Sequence, residues 1–300
     1  MEKRTFRAVF FDLDGTLLPM DVDVFMKSYF RALGGYVARM GIALDQFMAG
    51  MKRGITAMAT NDSGHANAES FWPEFLACID LPEGLTADAL QAAIGDFYEN
   101  EFGELGADVQ PNPAAARAVE ALAAKGYPLV LATMPMFPRR AVEWRLRWAG
   151  IDPAVFSRIT TFENSTAVKP KPDYYAENLA AAGVEGRDVL MVGNNTKEDL
   201  AACQLGCEGF LVTDFLIDPV GFEVFSVRHG SMEKFADWVD SLPECADPAQ
   251  GVSDAIVPAA VRERVLAACG IADGQAGGAK TLEEAGRSGG TDFVINGMEE

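Results

Sequence analysis

Residues 8–17 restrict what this chain can become more than any other stretch. Ala8-Val9-Phe10-Phe11 is apolar, β-branched and aromatic, and its length suits a buried strand. It runs straight into Asp12-Leu13-Asp14-Gly15-Thr16-Leu17. Side chains alternate along a strand, so Asp12 and Asp14 start out on one face. The carboxyl ends of strands are where open α/β sheets bind ligands. Two carboxylates close together there repel each other unless a cation or a proton intervenes. The pair therefore reads as a Mg²⁺ site that joins a nucleophile to a group able to give and take a proton. A plain strand followed by an Asp-Gly turn would explain either aspartate alone. It does not explain the whole string.

The sequence after this motif changes character twice. Residues 20–107 carry helical periodicity and no strand signal. Val24, Phe25, Ser28, Tyr29 and Leu33 recur at helical spacing. Residues 44–58 continue as a helix that Gly50 and Gly54 are expected to break. Residues 69–79 read as a further helix, and Thr86 is the expected N-cap of another over 86–102. From 108 onward, helices and short apolar strands alternate. An Ala-rich helix over 113–125 ends at Gly126 and leads to the strand 128–133. A helix over 138–149, a short strand at 159–162, a helix to 182 and a strand at 188–192 follow. Next come a helix to 205, a strand at 209–213 and a helix over 232–242. This alternation predicts a parallel sheet between helical layers, a Rossmann-like three-layer α/β core.

The expected organisation is then an α/β core from 1–19 and 108–242, with 20–107 inserted as an all-helical cap. Beyond Pro243, Gly, Ala, Asp and Glu dominate, with Gly-Gly pairs at 277–278 and 289–290. Residues 243–300 read as an acidic, Gly/Ala-rich extension of low complexity, with one amphipathic helix possible at 257–268. The 300 residues, 49% hydrophobic, are ample for such a core.

Charge narrows the partners. Forty-four acidic residues against 25 basic ones leave a net charge of −19. Nucleic acid and anionic membrane both demand basic surface, so neither is expected. A phosphorylated substrate would be repelled at long range, and local cations must gather it. No apolar run is long enough for a transmembrane helix, and no signal peptide is evident. Five scattered cysteines fit a reduced, cytoplasmic chain. Cys203 and Cys207 lie one helical turn apart without His or Cys neighbours, and read as packing residues.

Three further stretches carry chemistry at expected strand ends. Thr133-Met134 offers a hydroxyl and a backbone N–H that can hold a phosphoryl oxygen. Lys169 opens the stiff run Lys169-Pro170-Lys171-Pro172 and can neutralise developing charge, with Lys171 the weaker candidate. Gly193-Asn194 is followed by Asp199, and Glu198 precedes it. Together with Asp12-x-Asp14-Gly-Thr, these four stretches resemble, in order, the four motifs of the haloacid dehalogenase (HAD) superfamily. The resemblance covers roughly residues 6–242, and the phosphoglycolate-phosphatase-like branch with a helical cap is the nearest.

The resemblance implies a Mg²⁺-dependent phosphatase acting on a small phosphorylated metabolite. It makes Asp12 the nucleophile that becomes an aspartyl phosphate and Asp14 the general acid and base. It gives Thr133, Met134 and Lys169 the phosphoryl group. The implied metal ligands are Asp12, the Asp14 carbonyl, Asp199 and Asn194. Asn194 departs from the family, which has an acid there. Glu198 is a substitute, although its place beside Asp199 is expected to point it elsewhere. Asp14 separates the chain from HAD dehalogenases, which lack the second aspartate. Lys52-Arg53-Gly54, residues 60–63, and Arg139 and Arg140 are candidates for substrate choice, although a solvated surface residue is the more expected reading of each. His65 and His229 have no catalytic pattern around them. A catalytically weakened module that binds a phosphorylated ligand or a partner protein is the alternative, kept alive by Asn194 and the acidic extension. The oligomeric state is not legible.

Overall fold

Strand β1 (Ala8–Phe11) is buried on both faces, and its alternation sets the layers. Val9 and Phe11 point into one apolar cluster, Ala8 and Phe10 into the other. The same division holds along β2 (Leu129–Leu131) and β4 (Val189–Gly193). Leu129, Leu131, Leu190 and Val192 face the first cluster, and Val130, Val189 and Met191 face the second. A strand covered on both faces must be apolar throughout, which is why these segments read as continuous hydrophobic runs. This computed structural model describes residues 5–271.

Three more strands, β3 (Arg158–Ile159), β5 (Glu208–Val212) and β6 (Arg228–Gly230), complete a six-stranded sheet. Its order is β3-β2-β1-β4-β5-β6, and every pairing is parallel. The order reverses beside β1, the topological switch point where such sheets bind ligands. Helices α5 (Pro113–Ala124), α6 (Arg139–Trp148) and α8 (Met232–Asp240) contribute to the first cluster. Helices α7 (Pro172–Ala182) and α9 (Ala259–Ala268) contribute to the second. The expected three-layer α/β core is therefore what forms.

Between β1 and α5 lie four helices: α1 (Val22–Ala38), α2 (Leu44–Ala59), α3 (Asn67–Leu76) and α4 (Ala87–Asn100). Thr86 caps α4, its side chain accepting from Ala89 N–H at 3.2 Å. Helix α2 is continuous, contrary to the expected break at Gly50 and Gly54. Those glycines let α3 approach. A Cβ on Gly50 would lie 2.8 Å from the Phe75 carbonyl oxygen, and one on Gly54 would collide with the Phe71 ring.

Other expectations need adjustment. The helix expected to end at 205 is a 3₁₀ segment, Asp199–Leu205. β6 was not legible, because Arg-His-Gly at a sheet edge has no apolar signal. The stretch 243–271, read as low-complexity extension, packs on the core. Backbone N–H groups of Cys245, Ala249 and Ser253 donate to the carbonyls of Lys125, Arg7 and Ala181. Helix α9 lies against α7, and Arg262 pairs with Asp173 at 3.1 Å. Both Gly-Gly pairs fall at 272–300, outside the described residues. Among the described residues no helix is long and apolar enough to cross a membrane.

The two readings of Gly50 predict opposite outcomes. As a helix breaker, Gly50→Ala should stabilise the fold by about 1 kcal/mol. As a packing glycine, the same change should destabilise it by about 1–3 kcal/mol, because backbone must move. The second is expected, and a denaturant titration of the two proteins checks it.

Candidate active site

The site is built where β1 stops. Asp12 N–H donates to the Val192 carbonyl at 2.8 Å, fixing the strand end beside β4. The chain then turns, with Gly15 N–H donating to Leu18 O at 2.8 Å and Thr16 N–H to Leu13 O at 3.2 Å. Gly15 adopts φ +77°, a left-handed conformation that strains other residues. A Cβ there would also strike the Asn194 amide. Gly193 has the same function opposite, since a Cβ on it would overlap the Asp199 carboxylate.

Lys169 joins the two loops. Its ammonium donates to Asp12 Oδ1 at 2.8 Å and Asp199 Oδ1 at 2.6 Å, with all three side chains buried or nearly so. Burial alone would lower the Lys169 pKa, but Asp12 and Asp199 outweigh it and hold the pKa well above the ordinary value. The two carboxylates thus favour the charged ammonium. Burial raises the Asp199 pKa, with Lys169 opposing and Asp12 reinforcing. Asp199 Oδ2 accepts from Asn195 N–H at 2.9 Å, so both of its oxygens are engaged.

Thr16 and Asn194 form a second link. Thr16 Oγ1 lies 3.2 Å from both Asp12 Oδ2 and Asn194 Oδ1. Asn194 Nδ2 donates to the Phe215 carbonyl at 2.6 Å. An aspartate at 194 would set a carboxylate oxygen against that carbonyl. The departure from an acid therefore has a local cause, because the 214–217 loop needs a donor at this position.

Asp14 faces a different partner. Its Oδ2 accepts from Arg145 Nη1 at 2.5 Å, while its Oδ1 is buried without a hydrogen bond. Burial pushes the Asp14 pKa up, Arg145 opposes this, and Asp12 adds to it. Arg145 is itself buried, stacked 4.4 Å from the Phe137 ring, with Nε and Nη2 unpartnered. No sequence motif marked it. The helical period of α6 does carry the signal, since Ala141, Val142, Arg145 and Leu146 share the buried face.

One cavity of about 150 Å³ brings the assigned groups together. Asp12, Asp14, Thr133, Met134, Asn194 and Asp199 all line it, and Lys169 stands directly behind two of them. Thr133 is buried and its hydroxyl has no partner. Glu198 also lines the cavity, contrary to the expectation that it points elsewhere. Its Oε1 is buried and unpartnered, and burial pushes its carboxyl up to about 8. Arg53, Arg139 and Arg140, assigned to substrate choice, are engaged elsewhere. They pair with Glu74, with Glu143 and Asp254, and with Glu99 and Glu143. Asn61 bonds to Asn67 and to the His65 carbonyl. None of these four lines the cavity.

The donors fit a hard cation. Among the described residues no three His, Cys, Asp or Glu side chains form a ready-made metal cluster. Mg²⁺ does not require one, since it keeps several waters and takes one or two carboxylates. The buried, unpartnered Glu198 oxygen beside Asp12 is the kind of atom such an ion would satisfy. Asp12 and Asp199 each have both oxygens engaged in protein hydrogen bonds, Asp12 with Lys169 and Thr16 and Asp199 with Lys169 and Asn195 N–H, so the two stand on equal terms as candidates.

Comparison with known proteins agrees with this geometry. A family model described as haloacid dehalogenase-like hydrolase matches residues 6–205. The 2-haloacid dehalogenase from Pseudomonas syringae pv. tomato DC3000 superimposes with a TM-score of 0.52 at 18% identity, over 79% of this chain and 99% of that one. CbbY from Rhodobacter sphaeroides in complex with phosphate gives 0.49 at 19%, over 77% and 96%. The HAD phosphatase from Thermococcus onnurineus gives 0.46 at 19%, over 80% and 99%. At such identities a structural likeness speaks for the fold alone. No curated protein matches the chain. The family match spans most of the core and all four motif regions, so the chain belongs to the haloacid dehalogenase-like hydrolases and is an enzyme of that class.

Proposed function

We propose that the protein is a Mg²⁺-dependent phosphatase that hydrolyses a small phosphorylated metabolite through an aspartyl phosphate on Asp12. The observation that carries this reading is the convergence on one cavity of Asp12, Asp14 and the unpartnered Thr133 hydroxyl, with Lys169 bonded behind Asp12. Asp14 favours phosphoryl transfer over dehalogenation, because a leaving alcohol needs a proton and a leaving halide does not.

The residues divide the work as follows. Lys169 fixes the Asp12 carboxylate and offsets its charge as the anionic phosphoryl group approaches. The Thr133 hydroxyl and Met134 N–H hold phosphoryl oxygens. An Asp12 oxygen attacks phosphorus while the ester P–O bond breaks. Asp14, whose Oδ1 has no protein partner, gives its proton to the departing alcohol oxygen. It then takes a proton from water as that water attacks phosphorus, releasing phosphate and restoring Asp12. Proton transfer of this kind contributes about 10²–10⁴-fold. Asp12, Asp199, Asn194 and the Asp14 carbonyl would hold Mg²⁺, with Glu198 a further candidate ligand. Bound there, the ion supplies positive charge against the phosphoryl oxygens. The helical insertion acts as a cap over the cavity, and the proposed setting is the cytoplasm.

Asp12→Asn should leave the fold intact and reduce phosphate release from an aryl phosphate by at least about 10³-fold, the loss expected of a removed nucleophile. Retained turnover in that variant would rule out the covalent route. Retained ligand binding with no turnover in the unmodified protein would instead favour a phospholigand-binding module.

The metal assignment has its own test. Glu198→Gln should raise the Mg²⁺ concentration needed for half-maximal activity and shrink the rise in melting temperature that Mg²⁺ produces. If both titrations match the unmodified enzyme, Glu198 is not a ligand.

Asn194→Asp gains a carboxylate but loses the donor to Phe215. It should melt lower without Mg²⁺, by an amount matching about 1–3 kcal/mol for a buried acceptor left unsatisfied. Thermal melts in chelator check this.

A further inference from the structure

The cavity extends from the carboxylates into the helical insertion, and its chemistry changes completely on the way. Met26 and Leu33 from α1, Met51 and Ile55 from α2, Phe75 from α3 and Ile94 from α4 line that side. All six are buried. The hydroxyls on this wall belong to Tyr29 and Tyr98, which bond to each other at 2.6 Å. Beside Asp14, Arg145 adds unpartnered N–H groups. A sugar or other polyol placed here would bury several hydroxyls against methionine, leucine, isoleucine and phenylalanine. Each hydroxyl left without a partner costs free energy. An apolar body meets no such penalty. The whole cavity, carboxylate end included, measures about 150 Å³, so the body that fills the apolar end must be compact.

We infer that the substrate's leaving group is a compact apolar alcohol seated between α1, α2, α3 and α4, with any further oxygen acceptors confined to the end next to the ester, where Arg145 Nε and Nη2 can meet them. This deepens the phosphatase reading and rests on it. The phosphoryl end is set by the charged residues at the sheet. The rest of the molecule is selected by exclusion of water and by the scarcity of polar partners.

Binding and turnover, measured on the full chain, test this separately. Calorimetry with Mg²⁺ should show benzylphosphonate binding about 30-fold more tightly than methylphosphonate, the gain expected from removing a phenyl ring from water. Its heat-capacity change should also be more negative. Ile55→Phe, which fills the cavity, should narrow that ratio to within about threefold, and Ile94→Phe on another wall serves if the first variant does not fold. Benzyl phosphate and glycerol 3-phosphate, both esters of unactivated primary alcohols, should differ in kcat/KM by about 30-fold or more in favour of the benzyl ester. Equal affinities for the two phosphonates would overturn the inference. Comparable or reversed kcat/KM values would also overturn it, while leaving the phosphatase reading intact. Preferential benzylphosphonate binding with neither ester hydrolysed would support the apolar site and overturn the phosphatase reading.

Discussion

A single buried ammonium holds this site together. Lys169 touches Asp12 at the end of β1 and Asp199 beyond β4. Without it, two carboxylates would face each other in a medium that screens charge poorly, and one would be forced to take a proton. With it, both loops are tied to a third, between β3 and α7, whose Pro170 and Pro172 leave the backbone little freedom. The strand order makes this possible. β1 and β4 are neighbours, so their carboxyl ends present Asp12 and Gly193 side by side.

The remaining charges follow from that bond. Four carboxylates, Asp12, Asp14, Glu198 and Asp199, lie at the cavity against the cations Lys169 and Arg145. Lys169 is already divided between two of them, and Arg145 takes Asp14. Glu198 is the carboxylate left over, which is why burial drives its proton affinity up so far. A site with surplus buried negative charge either holds protons or recruits a cation. The protein as a whole, at net −19, gives an anionic substrate no long-range attraction. On the proposed reading, capture then comes from short-range terms, namely Mg²⁺, the Thr133 hydroxyl and the apolar wall.

The sequence made part of this legible. The β1 motif, the alternation of elements and the two-sided apolar strands β1, β2 and β4 are local patterns, and the structure follows them. That Asp12, Asp14, Thr133, Met134 and Asn194 would meet at one cavity was readable, because each sits at or just past a strand end, and Asp199 joins them from the start of the 3₁₀ segment beyond β4. Arg145 was not, because an arginine on a helix is ordinarily solvated, and only its place on the buried face of α6 distinguishes it. Glu198 was misdirected by a helical assumption. Glu198 is the N-cap of a short 3₁₀ segment that begins at Asp199, so it lies outside the regular helix and helical spacing does not fix its direction. The packing of 243–271 was hidden by composition, since it depends on backbone hydrogen bonds to distant carbonyls and few large apolar anchors.

The helical insertion is fastened to the core at the start of α3 and again beside α6. Asn67 N–H donates to Ser165 O and Ala68 N–H to Phe162 O, at 2.9 and 2.8 Å. The Asn67 amide donates to the carbonyls of Pro135 and Ala167, and Lys171 reaches the Asn61 carbonyl. These bonds lie beside the loops that carry Thr133 and Lys169, so the start of α3 moves with the catalytic loops or not at all. At the other side the junction mixes rings with polar bonds. Phe25 and Tyr29 of α1, with Phe102, pack on Phe137 and on Trp148 of α6. Trp144 and Trp148 donate their indole N–H groups to the carbonyls of Tyr98 and Gly103, and Arg140 pairs with Glu99 of α4. The insertion is therefore tied to the core on both flanks of the cavity, which keeps the apolar wall in register with the carboxylates at the sheet.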